Sequence, residues 1–374
     1  MEISHLLAND SVVGIDIGSS QMKIVYAEAA KGSSRISRIA ICPTPPESVK
    51  EGVVVNIPEV AAALKNCLRN AGIKSQNAIA AVAGPGVIVR QVQVPTMPER
   101  VLRKTIGFEA TKYISTTVED SVVEFDILGP SETDGQMNIM LAAAPRQMVD
   151  TRVAVLEMAG LDPIALDVEV LASIRSLTEY SSNKSLVDRT IAILEIGGGH
   201  SEINLISQGN LEITRTIPIS GDSLTNSIRT ALGCEFAEAE ARKLDLDISI
   251  LCDTPAGSTE DPALRGVQNL IDELLREVRR SVNYYQSQSP EGTVDNNVDT
   301  VILSGGSARM RGLGEYVTSR LGLGVIIGNP ELLGYIKQGQ DAVIKAEDTP
   351  LLSVAFGLAT KEMRAERRDA VTAA

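Results

Sequence analysis

Two stretches of the chain join a carboxylate to a short run of glycine or serine, residue types that can bind metal ions and phosphate. The first reads VVGIDIGSSQMKIVYA and contains Asp16, Gly18, Ser19, Ser20 and Lys23. Apolar residues that alternate on both sides of the turn predict a β-hairpin. Its turn would expose backbone N–H groups to a phosphate, Lys23 would add positive charge, and Asp16 could hold a hydrated magnesium ion. Taken alone, the motif is also that of an ordinary hairpin.

A second copy of this motif follows half a chain later. It reads IAILEIGGGHSEINL and aligns without a gap, so that Glu195 falls on the aspartate of the first copy. Gly197, Gly198 and Gly199 take the place of its turn. Two such hairpins could face each other and hold a phosphate chain from both sides, which favours a nucleotide site over two unrelated turns. His200, which ends the second turn, could lie near phosphate or contact only solvent.

A third glycine turn, SGGS, contains Gly305, Gly306 and Ser307. It lies between an apolar run over 300–303 that predicts a buried strand and a helical pattern over 313–321. Glycines between a strand and a helix allow a ligand to approach the backbone closely at the start of the helix. On its own, such a turn is as often an ordinary connection.

The composition argues against several classes of function. The 374 residues carry a net charge of −13, which disfavours nucleic-acid binding because phosphate contacts need a basic surface. Four scattered cysteines without a C-x-x-C pair indicate free thiols in a reducing compartment, not a zinc site or a disulfide frame. There is no signal-peptide pattern and no run of about 18 apolar residues, so we expect a cytoplasmic protein that does not insert into a membrane.

The predicted strands and helices divide the chain into three regions of α/β character. Residues 1–86 predict a first lobe, which 169–187 and a C-terminal helix over 350–363 would complete. Residues 87–168 predict a β-α-β-β-α-β unit of ferredoxin-like order, inserted into that lobe and lacking a glycine turn suited to phosphate. The second lobe is predicted over 188–349, with a helical part at about 234–297.

Together, the two hairpins and the Gly-Gly-Ser turn resemble, in order, the two phosphate motifs and the adenosine motif of the actin/Hsp70/sugar-kinase ATPase superfamily. The inserted unit stands where FtsA-type proteins of that superfamily carry an extra subdomain. Three stretches are similar to the PilM family of type IV pilus assembly proteins: AGPGVIVRQVQVPTMPERVLRKTIGFEATKYI, VLEMAGLDPIALDVEVLA and PTPPESVKEGVVVN. The resemblance spans nearly the whole chain and implies an α/β, actin-like ATPase fold with two duplicated lobes around a nucleotide cleft.

The resemblance implies that this cleft binds ATP or ADP with Mg²⁺. The residues that it assigns to nucleotide are Gly18, Ser19, Ser20, Lys23, Gly197, Gly198, Gly199, His200, Gly221, Glu240, Lys243, Gly305, Gly306 and Ser307. Magnesium would be held through water by Asp16 and Glu195. The family usually has aspartate at the position of Glu195, and a group misplaced by about 1 Å can lower a rate roughly 100-fold. We therefore expect nucleotide binding with at most slow ATP hydrolysis, and we predict no catalytic residue.

The resemblance also implies a partner, the N-terminal cytoplasmic peptide of the membrane protein PilN, besides other pilus assembly components. The chain would then lie at the inner membrane through that partner. An unpaired strand edge of the inserted unit could accept an extended peptide. We place this groove at Val87, Ile88 and Arg90, between the inserted unit and the first lobe.

Two other functions share these motifs. One is an FtsA-like protein that forms filaments or serves as a cell-division adaptor, and self-association stays open in either case. The other is a small-molecule kinase of the same fold. For the kinase, Asp126, Asp162 and Asp167 are conceivable bases, but none lies in a recognisable substrate motif. Sedimentation with ATP would detect the filament, and a screen for phosphorylated small molecules would detect the kinase.

Overall fold

A computed structural model describes residues 11–30, 33–114, 117–179, 186–255, 258–288, 297–329, 337–338 and 345–361. Residues 1–10 and 180–185 of the predicted first lobe, and 362–363 of its predicted C-terminal helix, lie outside these ranges. So do the parts of the predicted second lobe at 256–257, 289–296, 330–336 and 339–344.

Strands and helices alternate along much of the chain, as predicted for an α/β protein. The strands are β1 (Val12–Ile17), β2 (Gln21–Ala30), β3 (Ser33–Pro43), β4 (Val49–Lys50), β5 (Val53–Val54), β6 (Asn77–Val82), β7 (Ile88–Pro95), β8 (Ser121–Pro130), β9 (Gln136–Pro145), β10 (Asp162–Val168), β11 (Thr190–Ile196), β12 (Ser201–Ser207), β13 (Asn210–Ile217), β14 (Thr300–Ser304), β15 (Gly324–Ile327) and β16 (Lys337–Gln338). The helices are α1 (Ile57–Asn70), α2 (Glu99–Ala110), α3 (Arg146–Ala159), α4 (Glu169–Ile174), α5 (Gly221–Leu232), α6 (Phe236–Asp245), α7 (Pro262–Ser287), α8 (Leu313–Leu321) and α9 (Ser353–Ala359). None of these described helices has both the length and the apolarity of a membrane span.

The first sheet has six strands in the order β10-β6-β1-β2-β3-β16. Strands β1 and β2 form the predicted antiparallel hairpin, in which Asp16 lies opposite Lys23, and β6 runs parallel to β1. Successive side chains of a strand point to opposite faces, so each face needs its own cover. Helix α1 covers one face through Val60 and Leu64. Helix α9 covers the other through Phe356, which places the C-terminal helix on the first lobe.

The second sheet repeats this plan with five strands in the order β13-β12-β11-β14-β15. Strands β11 and β12 form the second hairpin, with Glu195 opposite Glu202. Strand β14 runs parallel to β11, as β6 does to β1. Helices α5, α7 and α8 bury their apolar faces in the core of this lobe. The duplicated architecture predicted from the repeat is confirmed.

The inserted region forms a three-stranded sheet of order β7-β9-β8, on which α2 packs through Leu102 and Ile106. The predicted β-α-β-β-α-β order is present, but the place of its last strand must be corrected, because β10 pairs in parallel with β6 of the first sheet. Helix α3 likewise buries Val155 and Leu156 in the core of that sheet. Periodicity identifies a buried helical face but not the sheet that receives it. The boundaries at 87 and 168 stay predictions.

Candidate functional site

The tips of both hairpins open onto one cavity of about 680 Å³. Its walls also include the starts of α5 and α6 and the glycine turn between β14 and α8. All of the residues predicted to bind nucleotide or magnesium line this cavity. The structure thus brings the three sequence motifs to one place, while their assignment to these ligands stays a prediction.

The two hairpin tips have the same turn and contact each other. In the first, the N–H of Gly18 donates to the carbonyl of Gln21 over 3.2 Å, and in the second the N–H of Gly197 donates to the carbonyl of His200 over 3.0 Å. A Cβ placed on Gly198 would lie 2.3 Å from the Oγ of Ser20, so a side chain here would displace that hydroxyl. Few atoms therefore separate the two turns.

Gly221, the first residue of α5, joins three of the predicted motifs. Its N–H donates to the carbonyl of Gly197 in the second hairpin over 2.8 Å. A Cβ at this position would lie 2.7 Å from the Oγ of Ser307 in the third turn and 3.4 Å from the Nζ of Lys243 on α6. A side chain at position 221 would therefore push these motifs apart.

The ammonium group of Lys243 is buried and holds α5 and α6 together. Its Nζ donates to the carbonyl of Gly221 over 3.2 Å, to the Oγ1 of Thr225 over 3.0 Å and to the Oε2 of Glu240 over 2.7 Å. The side chain of Glu240 remains 40% exposed. Lys243 thus forms a buried part of the cavity wall, whereas Glu240 and Phe236 are more exposed parts of it.

In the first hairpin, Lys23 and Asp16 form an ion pair with 2.9 Å between Nζ and Oδ2. Burial by itself would lower the pKa of Lys23. The attraction and hydrogen bond of Asp16, together with the charges of Glu169 and Glu195, outweigh burial and raise that pKa. The ammonium predicted to meet phosphate is therefore a charged group that Asp16 positions.

The second hairpin carries two glutamates, Glu195 and Glu202, whose pKa values are raised. Burial, followed by repulsion from Glu169 and a hydrogen bond with it, raises the pKa of Glu195 well above its ordinary value. The Oγ of Ser173 also donates to Glu195 over 2.9 Å. A hydrogen bond between two carboxyl groups requires a proton on one of them, so Glu195 is protonated when it pairs with Glu169.

Glu202 occupies the position in the second hairpin that Lys23 occupies in the first, as the cross-strand registers show. An opposite-charge pair in one hairpin is thus replaced by two glutamates in the other. Burial and repulsion from Glu169 raise the pKa of Glu202 to about 7. The ungapped alignment of the two hairpin sequences already places Glu202 on Lys23.

Two further charged residues in the cavity wall were missed by sequence reasoning. Glu169 begins α4 and Arg152 lies on α3, and neither belongs to a recognisable local motif. Arg152 is only 3% exposed. Their place in the site depends on how α3 and α4 pack beside the first hairpin, which a single sequence pattern does not encode.

These features fit an anionic ligand. Gly198 and Gly221 leave backbone-lined walls that a side chain would fill, and Arg152 has an N–H without a partner. In the described part of the chain, no three or more His, Cys, Asp or Glu side chains surround a common metal position. Magnesium is often held by one or two carboxylates with water and phosphate oxygens. Asp16 and Glu195 could act in this way once Glu195 releases its proton.

The strand predicted to bind a peptide, β7, lies outside this cavity. It pairs with β9 on one side only among the described strands. Val89 joins a core cluster with Ile206 and Leu211, so β7 lies against the second lobe as well as the first. The guanidinium of Arg90 lies 4.6 Å from the ring centre of Tyr113. The groove at Val87, Ile88 and Arg90 stays a prediction.

Sequence relatives of the chain include cell-division proteins. Cell division protein FtsA of Pseudomonas aeruginosa is 26% identical over 389 aligned positions, which cover 93% of this chain and 88% of that protein. FtsA of Bacillus subtilis is 25% identical over 264 positions, covering 64% of this chain and 58% of that protein.

Solved structures and a family profile agree with the fold described above. A PilM–PilN type IV pilus biogenesis complex matches with a TM-score of 0.78 and 27% identity, over 95% of this chain and 98% of that one. MreB5 of Spiroplasma citri bound to ADP matches with a TM-score of 0.51 and 12% identity, over 97% of this chain and 99% of that one, and shows a shared fold alone. The profile described as "Type IV pilus assembly protein PilM" matches residues 14–363. The chain therefore belongs to the PilM family of type IV pilus assembly proteins.

Proposed function

We propose that this chain is a nucleotide-binding scaffold of type IV pilus assembly. It binds ATP with Mg²⁺ between its lobes and recruits the N-terminal cytoplasmic peptide of a PilN-like membrane protein, which holds it at the inner membrane. The observation that carries the nucleotide part is the meeting of both hairpins, Gly221 and the third glycine turn at one cavity. The solved PilM–PilN complex supports the partner.

The residues that line the cavity form two groups, one suited to the base and ribose and the other to the phosphates. Phe236 and Glu240 offer an aromatic face and a carboxylate for the base and ribose, and the hairpin turns offer backbone N–H groups. The bound nucleotide supplies the phosphate chain and the hydrolysable bond. Glu195, which is predicted to hold Mg²⁺ through water, is hydrogen-bonded to Ser173 and Glu169. We expect slow turnover, because these two partners already engage the carboxyl of Glu195.

An FtsA-like filament or cell-division adaptor is the second candidate, favoured by the FtsA relatives. Sedimentation of the purified protein with ATP and Mg²⁺ separates the two functions. A filament former pellets in a concentration-dependent way, whereas the proposed scaffold stays in the supernatant and binds the PilN-like peptide.

We expect Gly198→Ala to weaken ATP binding about 10-fold or more. The added Cβ would meet the Oγ of Ser20 at 2.3 Å and the Oγ of Ser19 at 2.8 Å. Both hydroxyls can rotate away, but the methyl group would still lie between the two hairpin tips, where a phosphate must approach the backbone N–H groups. Titration calorimetry with ATP and Mg²⁺ measures the affinity directly.

The matched control is Gly314→Ala in α8. There the nearest atoms to an added Cβ are side-chain carbons of Ile327 and Val325 at 3.6 and 3.7 Å, which is ordinary contact. Its affinity for ATP should equal that of the wild type. Equal ATP affinities for the wild type, Gly198→Ala and Gly314→Ala would show that the hairpin tips do not form part of the nucleotide site.

We expect Arg90→Glu to lower the affinity for a synthetic PilN-like N-terminal peptide while leaving ATP affinity unchanged. The substitution reverses a charge on the exposed face of β7 and removes the contact with Tyr113. Fluorescence anisotropy of a labelled peptide measures the first affinity, and calorimetry measures the second on the same preparation.

Arg103→Glu is the matched control for this test. Arg103 lies 5.1 Å from the ring centre of Phe125 on β8, the opposite edge strand of the inserted sheet. It should bind the peptide as the wild type does. Loss of peptide binding in Arg103→Glu but not in Arg90→Glu would show that the peptide binds at β8 and not at β7.

A further inference from the structure

Arg152 is a buried cation in the wall of the cavity. Its Nη1 donates to the carbonyl of Ile17 over 3.2 Å, and its Nη2 donates to the carbonyl of Gly52 over 3.1 Å. Its Nε has no hydrogen-bond partner. The guanidinium group has five N–H donors and no acceptor, and it remains charged in proteins. Its donors are therefore not all used by the protein.

The carboxylates near Arg152 are already engaged elsewhere. Asp16 is paired with Lys23, and Glu169 is hydrogen-bonded with Glu195. Among the ion pairs of the described residues, none joins Arg152 to a carboxylate. Burial lowers the pKa of Arg152, and the more distant charges of Asp16 and Glu169 oppose this only in part. Two neutral carbonyls are the partners of this buried charge, and a buried charge without a counter-charge is costly, so the site favours an added anion.

The position of Arg152 indicates which anion this is. The carbonyl of Ile17 that it binds comes directly before the turn of the first hairpin. Phe236 and Glu240, which suit the base and ribose, lie in the wall formed by the second lobe. A phosphate chain that started there and passed between the hairpins would end at the first-lobe wall, where Arg152 lies. Guanidinium groups bind phosphate oxygens through paired N–H donors.

We propose that Arg152 binds the terminal phosphate of a nucleoside triphosphate and makes the protein prefer it over the diphosphate. This inference rests on the proposed nucleotide site. It adds the residue that distinguishes a nucleoside triphosphate from a diphosphate. Because Arg152 lies on α3, the same contact restrains that helix.

Helix α3 connects the cavity to the inserted sheet. It begins directly after β9, and its first residue, Arg146, is held by that region through three bonds. Its N–H donates to the carbonyl of Asp120 over 2.8 Å, its Nε to that of Glu119 over 3.0 Å and its Nη2 to that of Ser121 over 2.9 Å. A phosphate held by Arg152 therefore stiffens a helix on which β8 is anchored.

The test compares ATP and ADP affinities of the full chain with Mg²⁺ by calorimetry, for the wild type, Arg152→Gln and Arg152→Lys. In Arg152→Gln we expect ATP affinity to fall about 10- to 100-fold, because a hydrogen bond to a charged group contributes roughly that factor to a binding constant. The affinity for ADP should stay within about 2-fold of the wild-type value. Arg152→Lys keeps the charge and should retain part of the preference. Arg146→Gln, on the same helix but outside the cavity, should keep the wild-type ratio of affinities.

Hydrogen exchange over Ser121–Pro130 provides a second readout. In the wild type it should slow more with ATP than with ADP, and this difference should vanish in Arg152→Gln. Equal losses of ATP and ADP affinity in both Arg152 variants would overturn the inference and leave Arg152 a structural residue. A wild type that binds both nucleotides with equal affinity would overturn it while keeping the proposed site. A wild type that binds neither nucleotide would overturn the proposed function as well.

Discussion

Replacing Glu202 with glutamine is expected to stabilise the nucleotide-free protein at pH 8 but much less at pH 5. Burial and Glu169 raise the pKa of Glu202 to about 7 in the folded state, against an ordinary value near 4.5. As the pH rises above about 4.5, the unfolded chain releases this proton while the folded protein retains it, so the free energy of the unfolded state falls relative to that of the folded state. The loss of stability grows until about pH 7 and is constant above it.

The expected size follows from the shift in pKa. One pKa unit corresponds to about 1.4 kcal/mol, and water in the cavity reduces the effect of burial. We therefore expect the stability difference between Glu202→Gln and the wild type to increase by about 2–3 kcal/mol from pH 5 to pH 8. Urea unfolding followed by circular dichroism at both pH values measures it.

Glu273→Gln on α7 is the control, because Glu273 is exposed and far along the chain from the cavity residues. Its stability relative to the wild type should not change with pH. If Glu202→Gln behaves in the same way, the carboxyl of Glu202 is already ionised in the folded protein at pH 5, and burial and Glu169 raise its pKa less than we infer.

Replacing Lys243 with methionine is expected to lower both stability and ATP affinity. The apolar side chain fills similar space, but the carbonyl of Gly221 and the hydroxyl of Thr225 lose their buried donor. Thr225 can still donate to the Gly221 carbonyl or to Glu240, so the loss is that of hydrogen bonds to a charged group, worth about 1.5–3 kcal/mol. The same loss releases the start of α5 from α6, so the wall at Gly221 loosens and ATP affinity should fall about 10-fold or more.

Arg242→Met provides the matched control, since Arg242 is exposed on the same helix, one residue away. It should leave both quantities near wild type. Thermal unfolding with and without ATP gives the two effects on one sample, because a ligand that binds the folded state raises the midpoint. A destabilised Lys243→Met variant with normal ATP affinity would show that α6 does not form part of the nucleotide site.

The sequence by itself determined the local features of this protein. Alternating apolar residues around a small-residue turn specify a hairpin wherever they occur, and the ungapped repeat showed that there are two. The pattern of Leu102 and Ile106 likewise identified the buried face of α2. The motifs that line the cavity were therefore readable because each depends on neighbours within a few residues.

The tertiary structure decided how these features are combined. Arg152 reaches the carbonyl of Ile17 across 135 positions of the chain, and Ser20 reaches Asp222 across 202. Strand β10 joins the first sheet although its neighbours in sequence build the inserted one. Burial beside Glu169 raises the pKa of Glu202 to about 7, whereas its residue type alone would give a pKa near 4.5. Packing, charge and proton affinity arise from contacts between distant segments, and for that reason no local pattern contains them.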